Sequence, residues 1–122
     1  CVNQADIVQT VGNTSGLEIQ QSQGQDKFQA YGLQTFAGET VEAPLLEGCV
    51  AWLECRLLPE PRNHEQYDLF LAEVIAAQAD ERVFSDGRWH FDGHDGLRTL
   101  HHVAGGHFLT IGDAVDGKTL PL

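Results

Sequence analysis

The side chains in this sequence that are suited to chemistry fall in a few short stretches. Asn13-Thr14-Ser15-Gly16 joins small hydroxyl and amide groups to a flexible backbone. That composition can surround a phosphate or the edge of a planar ring, and it equally makes a polar turn after a helix. Lys27 stands between Asp26 and Phe28; taken alone it reads as a solvated helix lysine beside a capping aspartate. Trp89 through Asp95 puts His90, Asp92 and His94 on one side of an extended segment. Such a trio begins a zinc or nickel site if His64, His101 or His107 comes near. A glycine-rich polar loop explains the spacing better, and no metal is expected. Ser15, Ser22 and Ser85 lack a Gly-x-Ser-x-Gly elbow, and no Gly-x-Gly-x-x-Gly follows a strand. No catalytic nucleophile is expected.

These residues must be positioned by one domain, because 122 residues suffice for a single modest core. The chain carries 7 basic and 18 acidic residues, a net charge of −11. Phosphate backbones demand a basic face, so a nucleic-acid partner is excluded from the expectations. No apolar run approaches the roughly 18 residues of a membrane span, so no membrane partner is expected either. The three cysteines cannot all pair within one chain, and Cys49 and Cys55 lie on or beside one expected strand. They are read as reduced thiols facing the core, Cys55 inert, in a cytoplasmic protein. A first-position cysteine also begins acylated bacterial lipoproteins. A soluble linker normally follows it there, whereas here Ala5, Ile7, Val8 and Val11 make an apolar helical face.

Periodicity sketches the scaffold. Ala5 to Val11 reads as a short helix ended by Gly12, and Gly12 to Gln25 as a loop. Asp26 caps a second short helix through Tyr31, stopped by Gly32. Thr35 to Gly48 reads as irregular. Val50 to Leu58 is a strand with Ala51, Leu53, Cys55 and Leu57 on one face and Val50, Trp52, Glu54 and Arg56 on the other. Pro59 and Pro61 end it, a polar turn runs through Gln66, and Tyr67 to Ala77 is a second strand. Phe84 to Leu97 reads as loop, and a last hairpin over Leu100 to Ile111 bends at Gly105-Gly106. Periodicity alone stops at a β-rich domain, residues 1–122.

A sequence of motifs carries the reading further. Gly12-Asn13-Thr14-Ser15-Gly16, Asp26-Lys27-Phe28, Ala43-Pro44-Leu45-Leu46, Leu53-Glu54-Cys55-Arg56, Leu69 to Val74, His101-His102 and Gly105-Gly106-His107-Phe108 occur in that order. The set resembles the C-terminal portion of the flavin reductase-like family of FMN-binding split barrels, which includes the flavoredoxins. The resemblance runs from Val2 to about Gly112. It implies a mainly β fold, a Greek-key split barrel with short helices. The family's earlier Asn-x-x-Pro-x-Ser and Lys-Asp-Thr patterns do not occur here, and the chain contains no methionine. A fragment or processed chain lacking the N-terminal strands is therefore expected.

The same resemblance implies FMN as cofactor, NAD(P)H or another electron donor as partner, and a homodimer, with the missing N-terminal piece a further partner. The implied activity is that of an oxidoreductase: hydride passes from NAD(P)H to the flavin and electrons travel onward. Lys27 matches the lysine that approaches the cofactor and would hold negative charge on the reduced ring. Asn13, Thr14, Ser15 and Gly16 would line the pocket. Phe108 would cover the ring face or else sit in the core, and His101 or His102 would contact flavin or be structural. Two rivals stand beside this: a non-catalytic flavin-binding electron carrier, and a truncated part-barrel without a flavin site that acts as an interaction module.

Overall fold

The computed structural model describes residues 1–120; Pro121 and Leu122 lie outside the described residues. A 3-10 turn over Val2–Gln4 leads into helix α1 (Ala5–Asn13), which continues through Gly12 instead of ending before it. A second helix, α2 (Gly16–Gln23), replaces most of the loop expected over Gly12–Gln25. Its polar composition hid good caps at both ends. Ser15 Oγ accepts from the Glu18 N–H at 3.1 Å. Gly24, in the left-handed region at φ 66°, donates its N–H to the Gln20 carbonyl. Replacing Ser15 by alanine should cost about 1 kcal/mol, whereas aspartate should hold the cap. Urea denaturation of the two variants checks this; equal midpoints would deny the cap any role. Helix α3 (Lys27–Ala30) is as expected, with Asp26 Oδ1 accepting from the Gln29 N–H at 2.9 Å.

Strands β1 (Thr35–Phe36) and β2 (Leu45–Leu46) pair antiparallel inside the segment read as irregular. The long hairpin is β3 (Ala51–Leu57) with β4 (Ala72–Ala79), joined by helix α4 (Pro61–Tyr67). The polar composition of that stretch predicts only a turn. Pro61 opens that helix, where its fixed φ is preorganised and its missing N–H is not needed. Because α4 absorbs Tyr67, β4 starts later than expected. Minimal strands β5 (Phe84–Ser85) and β6 (Arg88–Trp89) pair within the segment read as loop, followed by a 3-10 turn over Asp95–Leu97. The closing hairpin, β7 (Leu100–Ala104) with β8 (His107–Thr110), turns at Gly105-Gly106 as expected. Among the described residues the strands form four separate two-stranded antiparallel ladders. The chain thus mixes helix and strand, where a mainly β content was expected. No helix of the described residues is long and apolar enough to cross a membrane.

The central core is small: Val50, Val83 and Phe91, with Cys1 and Leu97 packed against them. On β3 the inward row is Trp52 and Glu54, continuing from Val50, while Leu53 and Leu57 are each 61 % exposed. Cys55 is exposed as well, which overturns its reading as a core-facing thiol; Cys49 is half-buried. The alternation was read correctly but its inward side was not. Hydrophobicity pointed to the Leu53 row, yet no layer of the described residues covers that face. Between the Glu54 and Cys55 pairs the register skips Ile75 of β4, a bulge that bends β4 against β3.

Candidate functional site: a groove beside the first helix

A cavity of about 340 Å³ opens between α1, the Tyr31–Gln34 segment and the base of the β1–β2 hairpin. Ile7, Tyr31 and Leu33 form its apolar floor, with Asn3, Gln4 and Gln34 among its polar lining. The same Ile7, Tyr31 and Leu33 also line a second hollow of about 220 Å³, which continues along α1 past Asp6 and Thr10 to Val11. The two make one groove along the helix. Its near end is held by Gln4, a buried amide whose Nε2 donates to the Glu47 carbonyl at 3.2 Å. The hairpin side is held from β3. Trp52 Nε1 donates to the Leu46 carbonyl at 2.7 Å, and the indole meets Phe36 edge-on with centroids 5.4 Å apart.

Lys27 meets α1 at the far end of this groove. Its Nζ donates to the Val11 carbonyl at 2.6 Å. Val11 is in the last turn of α1, where carbonyls lack helical partners and the macrodipole is negative, so the ammonium caps the helix. Lys27 is therefore not the free surface lysine of the simplest reading. It ties α3 to α1 and still has donors to spare. Asn13 and Ser15 lie at the same helix end. Asn13 Oδ1 accepts from Gln9 Nε2 at 3.1 Å, while Ser15 Oγ is occupied by the α2 cap. Thr14 is half-buried and Gly16 is exposed at the start of α2.

His102 and Phe108 are cross-strand partners in the closing hairpin, their rings tilted with centroids 5.2 Å apart. His102 Nε2 shares a hydrogen bond with the Gly105 carbonyl at 2.9 Å. Phe108 is half-buried and His101 exposed. Gln9 connects the two groups: its amide bonds Asn13, and it also lies 3.6–3.8 Å from where a Cβ on Gly106 would stand. Lys27 and Asn13–Gly16 thus share one helix end, with His102 and Phe108 on a hairpin whose bend abuts that helix.

The other histidine cluster does not assemble. His90 Nε2 shares a hydrogen bond with Ser85 Oγ at 2.9 Å, and among the described residues no three His, Cys, Asp or Glu side chains gather as a metal set. Beside it, Asp80 is held down to about 2, first by the hydrogen bonds of the Arg82 guanidinium and then by the Arg82 backbone N–H. That pair closes the turn after β4.

Sequence reasoning missed the carboxylate that organises the hairpin. Glu54 is 2 % exposed. Its Oε1 accepts from the Glu39 N–H at 3.1 Å; its Oε2 accepts from the Thr40 N–H at 2.7 Å, Thr40 Oγ1 at 2.9 Å and the Val41 N–H at 3.0 Å. These donors, the Thr40 N–H foremost and the Glu39 N–H next, hold its carboxyl down to about 2. The available signal was an acid in mid-strand on the same row as a tryptophan, a position that requires partners if that row faces inward.

The flavin reductase-like domain model matches residues 2–97. An uncharacterized protein of Escherichia coli (strain K12), YddH, is 46 % identical over 106 residues, covering 86 % of this chain and 52 % of the relative. An uncharacterized protein of Methanothermobacter thermautotrophicus is 28 % identical over 93 residues, covering 72 % of this chain and 44 % of the relative. The chain therefore spans about half the length of the curated relatives it matches. Among solved structures, an FMN-binding domain of a flavin reductases-like enzyme from Shewanella baltica OS155 superposes with a TM-score of 0.83 at 41 % identity, over 96 % of this chain and 59 % of that one. The flavoredoxin of Desulfovibrio vulgaris (Miyazaki F) shares the fold, with a TM-score of 0.57 at 19 % identity over 79 % of this chain and 50 % of its own. With the domain match covering residues 2–97, most of its length, the chain belongs to the flavin reductase-like domain family.

Proposed function

We propose that this chain is the C-terminal part of an FMN-binding split barrel, and that the complete protein is an oxidoreductase using NAD(P)H. The observation that carries this reading is the 41 % identity, over 96 % of the chain, to the FMN-binding domain from Shewanella baltica. The groove suits a planar ring with polar edges. Ile7, Tyr31 and Leu33 offer an apolar floor, and Asn3, Gln4 and Gln34 offer amides. FMN, if held there, would supply the redox chemistry of hydride and electron transfer. The chain's own groups bind and orient. Lys27, already fixed by its bond to Val11, directs its remaining donors at negative charge on the ring or phosphate. Thr14 and the backbone of Asn13 to Gly16 lie outside the lining of both hollows, at the end of α1, and would reach the cofactor from there, with Ser15 Oγ spent on the cap. Phe108 would cover the ring and exclude water from the side of the closing hairpin, with the His102 ring tilted against it.

The uncovered face supports the partners of this reading. Leu53, Leu57, Val74 and Cys55 make an exposed apolar row on the long hairpin. In this reading further strands of the complete protein and a second subunit cover it. The same row also favours the second reading, an interaction module without flavin.

Incubating the chain, alone and as the full-length protein, with FMN and then desalting separates the two. Retained visible absorbance is the expected result, with steady NADH oxidation marking a reductase and none marking an electron carrier. A colourless full-length protein would end the flavin reading. Lys27→Ala should raise the FMN dissociation constant roughly tenfold, as loss of a charge-assisted contact does. An unchanged constant would restrict Lys27 to capping α1.

A further inference from the structure

We propose that Glu54 is a positioning residue for the groove: its carboxylate latches the Glu39–Val41 bend and thereby sets the β1–β2 hairpin that forms one wall. Three successive backbone N–H groups and one hydroxyl converge on this single side chain. Such a nest is a general device for holding an anion, and here an internal carboxylate fills it. Among the described residues no lysine or arginine forms an ion pair with Glu54, so its charge is held by backbone dipoles and Thr40. The neighbouring chain is shaped to fit. A Cβ at Gly38 would stand 2.6 Å from Glu54 Oε2 and 3.0 Å from the Val41 carbonyl, so the bend closes on the carboxylate only because position 38 has no side chain.

The hairpin needs such a latch. Its ladder is two residue pairs long, Thr35 with Leu46 and Phe36 with Leu45, too short to persist unaided. The Glu47 N–H extends the ladder at its base by donating to the Gln34 carbonyl, and three side chains hold the hairpin from outside. Gln4 donates to the Glu47 carbonyl, Trp52 donates to the Leu46 carbonyl, and Glu54 fastens the tip. The base residues Gln34, Leu46, Glu47 and Gly48 are groove lining. A free tip lets the short ladder fray and moves that wall. The effect on cofactor binding rests on the flavin reading above; the latch itself does not.

The test compares the wild-type full-length protein with Glu54→Gln and Glu54→Ala, each with and without sodium formate, using sodium chloride as the ionic-strength control. Amide hydrogen exchange is read at Glu39, Thr40 and Val41 and at Glu47, and FMN affinity by flavin fluorescence. Glu54→Gln is nearly isosteric but presents an NH₂ and loses the charge, so exchange at the bend and at Glu47 should rise about tenfold or more. Glu54→Ala leaves the nest empty, and formate but not chloride should restore protection there and at Glu47. FMN should bind about tenfold more weakly to both variants and recover with formate in Glu54→Ala. Unchanged exchange at the bend in both variants would overturn the latch. Faster exchange at the bend with Glu47 and FMN affinity unmoved would overturn the positioning role. If wild type binds no FMN, the flavin reading fails, and Glu47 exchange still decides whether the wall depends on Glu54. Should Glu54→Ala not fold, Glu54→Gln decides alone.

Discussion

Phe91→Ala should destabilise this chain by about 3–5 kcal/mol, the cost of an emptied aromatic core site. Phe91 is 7 % exposed and packs with Val50 and Val83, Val83 being fully buried. It also stacks parallel to Trp89, with ring centroids 5.7 Å apart and planes 4° from parallel. The effect is large because the buried core is small. Leu53, Leu57, Phe70 and Val74, which would normally share the load, lie exposed on the long hairpin. A domain of this size holds only about 5–15 kcal/mol in all, so one ring is a large fraction. The melting temperature should fall by on the order of 10–20 °C. Leu53→Ser, on the uncovered face, should change the stability of the same chain by under about 0.5 kcal/mol. Thermal and urea unfolding of both variants checks the contrast. Equal losses would mean that the core has been placed on the wrong side of β3.

Acid should unfold the protein through two carboxylates in particular. Glu54 is held down to about 2 from an ordinary 4.5, chiefly by the Thr40 and Glu39 backbone donors. Asp80 is held down to about 2 from 3.8, chiefly by Arg82. Depressed folded values mean that the unfolded chain binds protons more readily. The stability each group contributes is fully present above its ordinary value and is lost as the pH falls towards 2. Near pH 3 unfolding binds roughly 1.5 protons at this pair. A competing effect runs the other way at higher pH. The chain carries a net charge of −11, and partial neutralisation below pH 6 relieves its self-repulsion. Stability should therefore hold or rise slightly down to about pH 4.5 and then fall steeply. Urea midpoints from pH 7 to pH 2.5 measure this. Glu54→Gln should be less stable than wild type at neutral pH, and the gap should close towards pH 2.5. A gap independent of pH would show that the Glu54 charge contributes nothing to folding.

Much of the scaffold was legible because local chemistry decided it. The Asp26 cap and the Gly32 stop mark out α3, the alternation from Val50 onward marks β3, and Gly105-Gly106 marks the last bend. The family, too, was legible in the order of short motifs from Gly12 to Phe108, and the domain match bears it out over residues 2–97. Where local signals were mixed, the reading erred. Ser15 and Gly24 cap a helix whose interior is glutamine-rich and looks like loop, and Pro61 starts a helix rather than only ending a strand.

What only the tertiary structure decided is which side of each element faces inward and what each polar group is bonded to. A period of two shows that β3 has two faces. It does not say that the Trp52–Glu54 row is buried while Leu53, Cys55 and Leu57 stay exposed, because burial depends on what else lies within reach. The groove has the same origin. Asn3 and Gln4, Tyr31 to Gln34, and Leu46 to Gly48 are far apart in the chain and meet only through long-range bonds. Gln4 reaches Glu47, Lys27 reaches Val11, and Glu54 reaches back to Glu39, Thr40 and Val41. Residue type announces that a buried carboxylate or amide needs partners; only the folded chain supplies them.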